Sequence, residues 1–264
     1  MKQGMFTITA NRRLTQNVCE MILAGDTSAC QRPGQFLNIK LDGLFLRRPI
    51  SVCDYDDEKI KIIYKIVGKG TRAMAEMRQG QTLDVLTGLG NGYDSSKAGT
   101  SPVLIGGGVG IPPLYGLLKA LQRQRAADAK AARTAGGLAN GESIGTEKIR
   151  VILGFNTAEE IFYQNEFEAA GAEVLLATAD GSAGVKGFVT DVLAGLDYSY
   201  FYTCGPEAMF RAIERVAKTS GQYSFEERMG CGFGACMGCS CETKYGSKRI
   251  CKDGPVLERE EILW

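Results

Sequence analysis

The chain contains no histidine. The side chain that most readily gains and loses a proton near neutrality is therefore missing. Redox chemistry carried by bound cofactors gains weight in its place. A charge excess is missing too. Lysine and arginine number 31, aspartate and glutamate 30, and the net charge is +1 at pH 7. No strong field is offered to nucleic acid or to an anionic membrane. No apolar run approaches the roughly 18 residues of a membrane helix. The opening MKQGMFTITANRR lacks the apolar core of a secretory signal. These absences predict a cytoplasmic protein with no membrane or nucleic-acid partner. What the chain does have is nine cysteines and 34 glycines in 264 residues. Without a secretory signal, so many thiols fit a reducing compartment, where they serve metals rather than disulfides. The length suggests one or two domains and a small additional module.

The stretch SFEERMGCGFGACMGCSCETKYGSKRIC, 224–251, concentrates the chemistry. Cys231, Cys236 and Cys239 are spaced C-x4-C-x2-C, and Cys251 follows downstream. That is the spacing of a plant-type [2Fe–2S] site, whose irons and sulfides suit soft thiolate ligands. Gly230, Gly232, Gly234 and Gly238 let such a loop wrap tightly and bring N–H groups close to sulfur. A structural zinc site and a disulfide knot are the alternatives. Zinc loops usually show C-x2-C pairs, often with histidine, so the spacing favours iron and sulfide. Cys241 is the spare thiol, and Cys251 is the expected fourth ligand.

Residues 1–100 read as β-structure. FTITANRRL, VCEMILA, QFLNIKL and TLDVLTGL are short β-rich runs, and KIKIIYKI alternates apolar with lysine except at Ile63. About six strands are expected, enough for a small closed barrel. One helix, Thr71–Arg78, interrupts them, with Thr71 as its N-cap. Two spots here suit an anion. Arg47 and Arg48 precede Pro49, Ile50 and Ser51, and paired guanidiniums can grip a pyrophosphate. Gly68-Lys69-Gly70-Thr71 opens the helix, where free N–H groups gather. Singly each spot suits an ordinary strand start or cap; together they favour phosphate binding.

Strands and helices alternate over 101–222. PVLIGGG, IRVILGFN, AEVLLATA and SYFYTCG read as strands. IPPLYGLLKALQRQ, EEIFYQNEFEAA, GFVTDVLAGL and PEAMFRAIERVAK read as helices, the second opened by a capping box at Thr157–Glu160. Pro206 with Glu207 suits the first turn of the last. This is the pattern of a doubly wound parallel sheet. Gly106 to Gly110 stand at a strand-to-helix turn, where a dinucleotide phosphate binds, although they do not match G-x-G-x-x-G. Cys204-Gly205-Pro206 ends a later strand, at the edge where such sheets hold ligands. No basic residue closely follows IRVILGFN, which favours NAD over NADP. Gln122–Lys148 is rich in alanine, glycine and charge, and reads as a helix extension followed by a loop without a catalytic role. Residues 223–264 are too few to build a core and need a metal or a partner. Their apolar end, GPVLEREEILW, either folds back or meets another subunit.

Taken in order, RRPIS, IYK, GKGT, GGGVGIPP, YTCGPEAM and ERMGCGFGACMGCSC resemble the electron-transfer subunits of NAD-dependent dihydroorotate dehydrogenase B, within the ferredoxin reductase superfamily. The resemblance implies an FAD-binding β-barrel (1–100), a doubly wound NAD-binding α/β domain (101–222) and a [2Fe–2S] module (223–264). It implies that Arg48, Pro49, Ile50 and Ser51 contact FAD, with Arg48 near the pyrophosphate. Ile63, Tyr64 and Lys65 would line the flavin, and Gly70 with Thr71 would hold its phosphates. Gly107, Gly108, Gly110, Cys204, Gly205 and Pro206 would border the nicotinamide. Cys231, Cys236, Cys239 and Cys251 would ligate the cluster. The implied partner is an FMN-containing catalytic subunit, two copies of each chain forming a heterotetramer. The implied reaction reduces NAD+ with electrons from dihydroorotate, in pyrimidine biosynthesis. Two other functions stand beside it: a related reductase subunit serving a ferredoxin or sulfur partner, and a zinc-stapled interaction protein.

Overall fold

The computed structural model describes residues 1–134 and 148–264. β1 (Lys2–Arg13), β2 (Val18–Ala24), β3 (Phe36–Ile39), β4 (Arg48–Tyr55), β5 (Lys59–Lys65) and β6 (Thr82–Leu89) close into a barrel. Their order around it is β1-β2-β5-β4-β3-β6. In β5, Ile60, Ile62 and Tyr64 point into the barrel core, as alternation requires. Ile63 breaks the alternation because the outer face of β5 is covered as well. It packs with Val18 and Cys53 against the neighbouring sheet's helical layer.

Between β5 and β6 runs α1 (Lys69–Ala75). It starts two residues before the expected Thr71, and Gly68 takes the extended cap position. Thr71 instead serves from inside the first turn. Its Oγ1 accepts from the backbone N–H of Val67 at 2.9 Å and of Gly68 at 3.3 Å.

The next body holds β7 (Pro102–Gly107), α2 (Pro112–Thr134), β8 (Arg150–Phe155), α3 (Gln164–Ala169) and β9 (Glu173–Thr178). It continues through β10 (Val185–Lys186), α4 (Val189–Leu193), β11 (Tyr200–Cys204), α5 (Glu207–Val216) and β12 (Gly221–Ser224). The strands are parallel in the order β10-β9-β8-β7-β11-β12, so the winding reverses between β7 and β11. The expected helix extension beyond Gln122 reaches Thr134; the loop expected after it lies mostly outside the described residues.

The capping box expected at Thr157 does not form. Its side chain makes no cap bond, and Ala158–Glu160 form only a 3-10 turn. The chain then breaks at Tyr163, whose φ is +66°, before α3 begins. The break turns Phe162 and Tyr163 inward, and both are buried. The Tyr163 hydroxyl donates to Glu20 Oε2 on the barrel at 2.7 Å. Tertiary burial thus overrides a local start signal.

β13 (Ser240–Thr243) and β14 (Gly246–Arg249) form a hairpin, and β15 (Val256–Glu258) adds antiparallel to β12. The apolar tail therefore folds back onto the parallel sheet. Val256, Leu257 and Ile262 are buried, and the Trp264 ring meets Tyr223 with 4.9 Å between centroids.

Glu20 is buried between barrel and sheet. Burial works against its charge, but hydrogen bonds from Arg12 and Tyr163 and the nearby Lys61 hold its pKa below the ordinary value. A depressed folded pKa adds stability above the unfolded value of about 4.3, lost as pH falls through the folded one. Tyr163→Phe removes one hydrogen bond to a charged group and should cost about 1.5–3 kcal/mol in urea unfolding at pH 7. The deficit should shrink as pH falls through the depressed pKa of Glu20, where the carboxylate protonates. An equal deficit at pH 7 and below that pKa would contradict this role.

Candidate cofactor and cluster site

The reversal between β7 and β11 opens a cleft at the C-terminal ends of the strands, where ligands of open α/β sheets bind. Its volume is about 620 Å³. Gly107, Gly108, Gly110, Gly205 and Pro206 line it, together with Lys65 from the barrel. Gly107 ends β7, and Gly108–Gly110 form a 3-10 turn leading into α2. Gly108 has a φ of +52°, a conformation that favours glycine. Gly110 is required for a different reason: a Cβ there would overlap the backbone carbonyl of Cys204. The turn after β7 and the end of β11 are thus in backbone contact. Pro206 is the N-cap of α5 rather than its first helical residue. Cys204 does not line the cleft. It is buried at the end of β11, and burial pushes its thiol up to about 12. It borders the ligand space through its neighbours only.

The expected flavin residues separate into two groups. Arg48, Pro49, Ile50 and Ser51 start β4, each half-buried. Arg48 lies against Gly70 in the first turn of α1, where a Cβ would overlap its Nε. A guanidinium at a helix start stripped of side-chain bulk is a cradle fit for phosphate. Arg47 is not part of it. Its Nη2 lies 3.0 Å from Asp84 Oδ2 and its Nη1 donates to the Asp84 and Asn38 carbonyls. That bond with Arg47 holds the Asp84 carboxyl below its ordinary range. Paired guanidiniums were expected; the structure leaves Arg48 to serve alone. Ile63 and Tyr64 also depart from the expectation. Both side chains are buried, Tyr64 in the barrel core with its hydroxyl 3.1 Å from Asn11 Oδ1. Neither side chain is open to a ligand, whereas Lys65 is exposed at the strand end.

The thiols gather as two pairs. Cys231 Sγ accepts from the N–H groups of Ala235 (3.2 Å), Cys236 (3.4 Å) and Phe233 (3.5 Å). Burial alone would raise its pKa, but these donors and the Cys236 side chain outweigh it and bring it down to about 6. In the second pair Cys251 N–H donates to Cys239 Sγ at 3.4 Å. Burial, then Cys239 itself, push Cys251 up to about 12. Among the described residues no group of three or more His, Cys, Asp or Glu is placed to hold a metal ion, so the thiols stand as two separate pairs. Gly232 and Gly234 have φ of +80° and +92°, and a Cβ on Gly230 would stand 3.2 Å from Cys236 Sγ. Cys241 stands apart on β13. It lines a cavity of about 340 Å³ with Phe210 and Phe225.

Two residues escaped the sequence reading. Glu226 lines both cavities, and burial raises its carboxyl pKa. Asn38 links β3 to the thiol loop. The polar break it makes in the apolar run QFLNIKL is a signal that was available.

The comparisons agree with this geometry. Residues 104–215 match the family described as oxidoreductase NAD-binding domain. Residues 226–263 match the iron–sulfur cluster binding domain of dihydroorotate dehydrogenase B. Fold and site together define an NAD-binding oxidoreductase with an iron–sulfur module. The dihydroorotate dehydrogenase B (NAD(+)) electron transfer subunit of Bacillus pumilus (strain SAFR-032) is 38% identical, over 99% of this chain and 98% of its own. That of Geobacillus sp. (strain WCH70) is 38% identical over 100% and 99%. A solved NADH-dependent reduced ferredoxin-NADP oxidoreductase, described in terms of flavin-based electron bifurcation, superposes with a TM-score of 0.80. It is 26% identical, with 99% of this chain and 90% of that chain covered. The chain belongs to the family of electron-transfer subunits of NAD+-dependent dihydroorotate dehydrogenase B.

Gly110→Ala tests the close approach on which the cleft depends. The new methyl meets backbone and cannot be absorbed by a rotamer change, so a loss of about 1–3 kcal/mol is expected in urea unfolding. An unchanged midpoint would show that the two turns do not need this contact.

Proposed function

We propose that this chain carries electrons from the FMN of a dihydroorotate dehydrogenase catalytic subunit to NAD+, in de novo pyrimidine biosynthesis in the cytoplasm. The thiol loop, in which the Phe233, Ala235 and Cys236 N–H groups donate to Cys231 Sγ and the Cys251 N–H donates to Cys239 Sγ, within the stretch that matches the iron–sulfur family, is the observation that carries this reading. Bound FAD supplies two-electron exchange with NAD+ and a [2Fe–2S] cluster supplies one-electron exchange with the partner.

The residues divide the work by chemistry. Arg48 and the α1 start, Gly70 and Thr71, hold the FAD phosphates, while Pro49, Ile50 and Ser51 meet the flavin. Lys65 projects into the nicotinamide cleft from the barrel, so both cofactors share one seam. Gly107, Gly108, Gly110, Gly205 and Pro206 keep side chains out of the NAD path. Cys231, Cys236, Cys239 and Cys251 ligate the irons, and the loop N–H groups stabilise charge on sulfur. No side-chain acid or base is assigned, in keeping with a chain free of histidine. Two copies pair with two catalytic subunits. A ferredoxin or sulfur partner is the weaker reading, because full-length relatives at 38% identity bear the dihydroorotate dehydrogenase name.

Reconstitution with the catalytic subunit should give dihydroorotate-dependent reduction of NAD+; a complex unable to do so would overturn the assignment. Serine at Cys231, Cys236, Cys239 or Cys251 should abolish stoichiometric iron and sulfide and the paramagnetic signal of the reduced protein. Cys241→Ser should keep both. Arg48→Ala should weaken FAD retention about tenfold, a loss in the range of one charge-assisted hydrogen bond, with iron content unchanged. Retention of FAD at the wild-type level would remove Arg48 from the phosphate site.

A further inference from the structure

β3 is buried along its whole length, and Asn38 is the polar residue within it, 1% exposed. Its Nδ2 donates to the backbone carbonyl of Cys231 at 3.0 Å. Its Oδ1 is buried with no hydrogen-bond partner. An amide with one orphaned acceptor is a poor choice for packing alone, since leucine fills similar space without that penalty. The bond to Cys231 is what the amide provides. Its orientation is fixed, because a flipped amide would set Oδ1 against the Cys231 carbonyl.

The same residue belongs to the barrel ladder. Asn38 pairs in register with Pro49 of β4, and its carbonyl accepts from Arg47. The contact is also shaped from the loop side, where a Cβ on Gly232 would overlap Asn38 Nδ2. Between Phe225 and Met237 the chain has no helix or strand to hold its shape. A loop without regular structure takes its position from such anchors.

We infer that Asn38 is a positioning residue that fixes the Cys231 end of the cluster loop against β3, the ladder neighbour of the β4 start that meets the flavin. It sets both the separation of the two redox groups and the field around the cluster. The inference rests on the ligand and flavin assignments proposed above and deepens them.

The test uses the complete complex with its catalytic subunit. Asn38→Leu should keep FAD, iron and sulfide while changing the line shape of the reduced cluster's paramagnetic resonance. Single-turnover reduction of FAD by dihydroorotate should slow about tenfold or more, the scale expected when a reacting group is displaced. The KM for NAD+ should not move. Asn38→Asp places a charge beside the loop and should lower the cluster's reduction potential. Loss of the cluster from Asn38→Leu with FAD retained also supports the anchor. Should Asn38→Leu not fold, Asn38→Ala removes the same contact without adding bulk to the strand and should alter the same resonance. Wild-type resonance, potential and single-turnover rate in the folded variants would overturn the inference. Failure of the underlying assignment shows elsewhere: wild-type complex without iron and sulfide, or Cys231→Ser retaining the signal.

Discussion

The thiol-bearing tail has no interior of its own, and it is held by a core that it shares with both larger bodies. Cys239, Ile250, Cys251 and Leu257 pack in one apolar cluster with Phe36, Leu86 and Leu89 of the barrel and Val103, Phe201 and Tyr223 of the sheet. A segment of roughly 40 residues cannot bury enough apolar surface alone. β15 closes the arrangement by adding to β12, and Asn91 fastens the seam. Its side chain donates to the Val256 carbonyl at 2.7 Å and accepts from Val256 N–H at 3.1 Å. Cys239 and Cys251 are thereby buried in the shared core, whereas Cys236 stays exposed at its edge.

The cleft between β7 and β11 follows from a second close approach. Where the winding reverses, the turn after β7 touches the end of β11 at backbone distance, which only glycine at 110 permits. The cleft needs no G-x-G-x-x-G pattern because contact between two strand ends, rather than one loop, forms its floor. Met209 of α5 leans over Gly107, and Lys65 reaches in from the barrel. The cleft is thus shared between domains, and stability at the domain seam bears directly on its shape.

Charge is used sparingly and in pairs. Arg47 is committed to Asp84, and Glu20 to Arg12 and Tyr163. Among the described residues Arg48 donates to the neighbouring carbonyls of Leu46 and Arg47 alone, so it can be recruited by an anionic ligand. Neighbouring residues in the sequence, with the same chemistry, thereby take different roles. The Cys231 sulfur is stabilised chiefly by N–H dipoles, which bring no mobile proton to the site.

Much of this was legible in the residues. The alternation of β5, the strand–helix rhythm after Pro102 and the spacing of Cys231, Cys236 and Cys239 are local, and local periodicity survives folding. Other features depended on partners distant in the chain. Thr157 could not act as a cap because burial of Tyr163 against Glu20 broke the helix behind it. Arg47 could not be separated from Arg48 until Asp84 was placed beside it. Tyr64 turned out to fill the barrel, and Asn38 gained its meaning from a carbonyl 193 positions away. The sequence by itself determined the alternation of strands and helices and the spacing of Cys231, Cys236 and Cys239, since both are written in short-range pattern. Only the tertiary structure decided which polar groups are spent on one another and which stay open to a ligand, because that depends on contacts between segments far apart in the chain.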